Sequence, residues 1–89
     1  MLRVCIEDLS HSEGLGEFST FQDAVLELER LASIPWDQAP NRAPCTSWRS
    51  CGRRYEVIIY DDATEPWSLI EQVPMLEISA SAVNWLRRS

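Results

Sequence analysis

The chain has 89 residues, 45% of them hydrophobic, with eight basic against fourteen acidic side chains and a net charge of −6. That length supports a single domain, 1–89, and a domain of this size buries about 60–65% of the surface its unfolded chain exposes. The hydrophobic share argues against disorder. The acidic balance argues against a dedicated nucleic-acid binder, whose affinity comes mainly from phosphate neutralisation, and no stretch has the length of a membrane span.

All eight basic side chains are arginine. Without lysine there is no Schiff-base residue, no lysine nucleophile and no lysine for a Walker-type phosphate loop. The opening MLRVCIEDLS is interrupted by Arg3, Glu7 and Asp8, so no secretory hydrophobic region can be drawn there. The expected compartment is the cytoplasm, where Cys5, Cys45 and Cys51 would stay reduced.

Leu2, Val4 and Ile6 alternate with Arg3, Cys5 and Glu7, which predicts a first strand over residues 2–9 with one buried face. HSEGLGE, residues 11–17, reads as a polar, glycine-bearing loop. Ser19 and Gln22 have the spacing of a capping box, and Phe21, Ala24, Val25, Leu28, Leu31 and Ala32 recur at helical intervals. An amphipathic helix from about 20 to 33 follows, stopped by Pro35. After a long connection, RRYEVIIY at 53–60 predicts a central strand with Tyr55, Val57 and Ile59 on one face.

DDATEP, residues 61–66, has turn composition, and strands are expected over 67–72 and 75–80. A turn at Val73 and Pro74 separates them, with Pro74 at a strand start or an edge. The last residues fit a short helix capped by Ser79 or Ser81 and carrying Asn84 and Trp85, with Arg87 and Arg88 against its C-terminal dipole. A strand end is the alternative. The fold class is therefore α+β, in the order β-α-(long loop)-β-β-β with a short C-terminal helix, and the amphipathic helix covers one face of a mainly antiparallel sheet.

Most candidate site residues fall in the loop at 34–52, IPWDQAPNRAPCTSWRSCG, which holds three of the five prolines, two of the four tryptophans and two of the three cysteines. Connections this long are either functional or disordered. Trp36 and Trp48 carry large apolar surfaces that favour burial, so an ordered, functional loop is expected. Residues 41–55 contain four arginines and no acid. Asn41, Arg42, Trp48, Arg49, Arg53 and Arg54 combine forked guanidinium donors with a flat apolar ring, the chemistry of anion recognition and of interface hot spots. The competing expectation is an internal network in which these arginines pair with Glu27 and Glu29 of the helix.

Cys45 and Cys51 are separated by five residues. With two more ligands from among His11, Cys5 and Asp37 they could hold a metal, and neighbouring Arg42 and Arg49 could lower a thiol pKa for redox chemistry. The spacing matches neither a common zinc knuckle nor a C-x-x-C pair, and the plainer expectation is two small, inert hydrophobes. A cysteine with His11, the sole histidine, would make a nucleophile–base dyad; otherwise His11 is an exposed loop residue. Asp61 and Asp62, beside Glu65, could bind a hard cation or divide acid and base roles, against a simple turn function. Gly14 and Gly16 form a lone G-x-G without a phosphate-cradling turn. Glu56, Glu71 and Glu77 suit a solvated sheet face paired with arginine.

The expected function is a non-catalytic cytoplasmic module without a cofactor, acting on a protein partner or on a second copy of itself. Its contact surface is the 36–54 loop, with Trp36, Asn41, Arg42, Trp48, Arg49 and Arg54 as contacts. The alternatives are a small-ligand, anion, metal or redox site on Cys45, Cys51 and the local arginines, or a small enzyme using the Cys/His or Asp pair. Neither nucleic acid nor a membrane is an expected partner.

Overall fold

The alternation in residues 2–8 becomes β1, Leu2–Asp8, in the computed structural model, which describes residues 1–87. Val4, Ile6 and Asp8 face inward and Arg3, Cys5 and Glu7 outward. Period two thus carries the carboxylate of Asp8 onto the core side, at the end of the strand. The helix α1 is Phe21–Ala32, with Ala24, Val25, Leu28 and Leu31 buried against the sheet. Its N-cap is Thr20, whose hydroxyl accepts from the Asp23 backbone N–H at 3.0 Å, one residue later than the Ser19 box implied.

Residues read as a loop form a strand, β2, Glu13–Phe18, which pairs antiparallel with β1. Its glycines hid it: the pairing shifts register between Ile6 and Glu7, opposite Gly16 and Gly14, and Gly16 has φ +135°, a backbone conformation that suits glycine. Leu15 and Phe18 still pack against the core.

β3, Arg53–Asp61, lies at the centre of a five-stranded antiparallel sheet of order β2-β1-β3-β4-β5. The two strands expected at 67–72 and 75–80 are one, β4, Ser68–Ile78. Pro74 does not turn the chain; it sits where the β3–β4 register shifts between Tyr55 and Glu56, an interruption that tolerates a residue without an N–H. The expected C-terminal helix is instead β5, Val83–Trp85, joined to β4 through a tight turn in which Ser79 N–H donates to the Ala82 carbonyl. A β-branched residue and an aromatic favour the strand here, and Trp85 packs against the core. Arg88 lies outside the described residues. The α+β class holds, with one helix on one face of the sheet.

The 34–52 connection makes contacts with both the helix end and the sheet. Asn41, 2% exposed, donates from its amide nitrogen to the carbonyls of Leu31 at 2.8 Å and Ile34 at 2.9 Å, at the end of α1. Its amide oxygen accepts from the Tyr55 hydroxyl of β3 at 2.8 Å. One side chain therefore fastens the loop to both the helix end and the central strand. Trp36 packs on the core and against Trp48, ring centroids 5.7 Å apart. Asn41→Ala leaves the buried Tyr55 hydroxyl and the partly buried Ile34 carbonyl without these partners, while the Leu31 carbonyl keeps the Ile34 N–H at 3.0 Å, so it should lower stability by about 1–3 kcal/mol in urea denaturation; a loss under about 0.5 kcal/mol would show that the loop is held by its apolar contacts alone.

Candidate metal centre

The centre is built from two loops that the β1–β3 pairing brings to the same end of the sheet. β1 ends at Asp8 opposite Tyr55, next to the start of β3, and Leu9 N–H donates to the Arg54 carbonyl at 3.0 Å. The turn after β1 then carries His11, and the chain entering β3 carries Cys51.

Asp8 is fully buried, and each of its oxygens accepts twice. Oδ1 takes the backbone N–H groups of Ser10 at 3.1 Å and Arg54 at 3.2 Å; Oδ2 takes Nδ1 of His11 at 2.7 Å and the Arg53 guanidinium at 2.9 Å. The Arg53 side chain, 5% exposed, also reaches Glu13 at 2.6 Å and the Arg42 carbonyl at 2.9 Å. A buried carboxylate is tolerable because this guanidinium neutralises it and its lone pairs are filled. As an acceptor, the carboxylate assigns the proton of His11 to Nδ1 and leaves Nε2 as the nitrogen with a free lone pair.

His11 is brought together with both loop cysteines. One ligand atom from each of His11, Cys45 and Cys51 lies within 4.8 Å of the other two, and all three residues are partly buried. The cysteines meet because Ser50 and Cys51 N–H both donate to the Ser47 carbonyl, at 2.9 and 3.0 Å, a helical turn that folds Cys51 back over Cys45. Their sulfurs are joined as a disulfide, against the expectation that all three cysteines stay reduced, and the Ser47 hydroxyl lies 3.8 Å from one and 3.6 Å from the other; only Cys5 is a free thiol among the described residues. Among the described residues this is the one group of three such side chains with metal-binding spacing, and neither Cys5 nor Asp37 belongs to it. Cys5 points away on the outer face of β1. Burial pushes its thiol pKa up, and the negative charges of Glu17 and Glu7 add to that.

Reduced to thiolates, the pair would make with the imidazole a donor set suited to zinc and its relatives. A carboxylate behind the histidine, fixing its tautomer and orientation, is the arrangement that accompanies metal-ligating histidines. Asp8 was the residue that motif spacing did not single out. The signal was present in the parity of Val4, Ile6 and Asp8, which puts a carboxylate where only a partnered one can remain.

The other candidates have separate surroundings. Arg42 and Arg49 lie over Trp48, guanidinium carbons 4.3 and 5.0 Å from its ring centroid, and both are exposed. Arg54 pairs with Glu56 at 3.3 Å and Glu77 at 3.1 Å, and Gln72 donates to Glu56 at 2.7 Å. The arginines of β3 thus find carboxylates on the sheet and in the β1–β2 hairpin. Glu27 pairs with Arg30 of its own helix. Asp62 accepts from Arg3 at 2.8 Å, which holds its carboxyl below the usual range, and Asp61 accepts from the Ala63 N–H at 2.9 Å. These two acids close the β3–β4 connection as turn residues do.

No protein-family model matches this chain, and no curated protein or solved structure is significantly similar to it. No helix among the described residues is long and apolar enough to cross a membrane.

Proposed function

We propose that this chain is a small, non-catalytic, metal-binding module of the reducing cytoplasm, holding one zinc-class ion through Cys45, Cys51 and Nε2 of His11. The observation that carries this reading is the approach of His11, with Asp8 already bonded behind it, to the Cys45–Cys51 pair, whose sulfurs are joined here as a disulfide and become ligands on reduction. The ion would tie the 34–52 loop to the β1–β2 turn, supplying a cross-link that a domain of this size gains from most. The fourth position of a tetrahedral site is left for water or a donor from another molecule. Asp8 and Glu13 are both bonded to Arg53, which leaves neither as a free base beside the ion and supports a binding role over hydrolysis.

The test is titration of the reduced chain with cobalt(II) and competition with zinc. Thiolate-to-cobalt charge-transfer absorption saturating at one ion per chain, and lost on adding zinc, is the expected result. Absence of that absorption with all three thiols reduced would end the reading.

A second reading is docking of a protein partner on the same loop. The exposed guanidiniums of Arg42 and Arg49 favour it, since among the described residues both are held over Trp48 with no carboxylate bonded to them. Trp and Arg anchors of this kind each carry more than about 1 kcal/mol of a partner's affinity, and Trp48→Ala and Arg49→Ala read that loss directly.

A further inference from the structure

We infer that the centre is a redox-controlled metal site, in which peroxide oxidation joins Cys45 to Cys51 and expels the ion. The inference rests on the metal-binding reading above and adds its regulation. Three observations support it.

The sulfurs proposed as ligands are the same two that the structure brings into bonding contact, so closing the bond needs no partner thiol. A tetrahedral zinc site with bonds of about 2.3 Å keeps its sulfurs well apart, at about 3.8 Å. The bonded and metal-bound arrangements therefore exclude one another. The third cysteine, Cys5, lies on the outer face of β1 and has its pKa pushed up by burial and by Glu17 and Glu7, so it is a poor competitor for the oxidant.

The chemistry balances with a peroxide as the oxidant. One thiolate attacks the peroxide, forming an S–O bond and breaking the O–O bond, with hydroxide leaving. The second thiolate then attacks that sulfur, forming the S–S bond and displacing the oxygen as a second hydroxide. The two sulfurs give up two electrons to the peroxide, and the metal keeps its charge. It loses two of its three protein ligands and is released as the aqueous ion. A dithiol reductant regenerates the thiolates, and His11 stays oriented by Asp8 for reloading.

The experiment loads the reduced chain with one equivalent of zinc, removes excess, and titrates hydrogen peroxide while a chromogenic chelator reports free zinc. Release of the whole zinc equivalent is expected, accompanied by loss of the mass of two hydrogen atoms and a Cys45–Cys51 linkage on peptide mapping. Reduction should restore uptake, and Cys5→Ser should leave the release curve unchanged. Zinc retained after the thiols have reacted, or released with sulfinic acid or an intermolecular bond instead of the Cys45–Cys51 linkage, would overturn the switch. A reduced chain that takes up no zinc fails at the loading step, which overturns the metal reading and the switch with it. The two failures are thus read at different steps.

Discussion

Asp8→Ala should destabilise the fold by about 3–5 kcal/mol, the usual cost of removing one partner from a buried ion pair. Domains of this size have on the order of 5–10 kcal/mol in total, so the variant should be close to unfolding. The cause is local. Arg53 remains 95% buried at its side chain with only the half-exposed Glu13 to balance it, and the Ser10 and Arg54 N–H groups and His11 Nδ1 lose their acceptor. Glu13→Ala removes the other carboxylate on Arg53 and should cost under about 1 kcal/mol, because its charge is already well solvated. Urea unfolding of the two variants separates these expectations, and near-equal losses would mean that Asp8 does not anchor this end of the sheet.

Zinc affinity should fall by more than about 100-fold in Cys45→Ser, Cys51→Ser and His11→Ala, beyond the roughly 10–100-fold that follows loss of the hydrogen-bond partner behind a ligand. Asp8→Asn falls in that smaller range, since a neutral amide offers one accepting oxygen where the carboxylate uses two and brings no charge to His11 and Arg53. Cys5→Ser should bind zinc as the parent does. Competition with a chelator of known affinity gives all five values. A His11→Ala chain that binds zinc as tightly as the parent would reduce the site to a bare thiol pair, and the Asp8 interaction would then be purely structural.

These two expectations meet at Asp8, which belongs to the fold and the site at once. Along β1 the alternation of Val4 and Ile6 with Arg3 and Cys5 extends by one more step to Asp8, and along β3 the alternation of Tyr55, Val57 and Ile59 extends back to Arg53. Both charges therefore sit on the core face by parity alone, and the antiparallel register of Asp8 opposite Tyr55 makes them neighbours. The strand pattern implied their direction; it could not imply their meeting, because register between strands is set by packing and turns rather than by either segment.

By itself the sequence determined the α+β class, the helix at 21–32 and the central place of β3. Each follows from local periodicity or from apolar surface that has to be buried. The strand at 13–18 escaped it because glycine removes the side chains that would show alternation, and the unbroken β4 escaped it because Pro74 is a turn signal until a bulge accommodates it. The tertiary structure alone decided that His11, in a hairpin turn, faces Cys45 and Cys51, in a distant loop. No local pattern encodes that meeting: it depends on β1 pairing with β3, which closes the intervening chain and lays the two loops against each other at one end of the sheet.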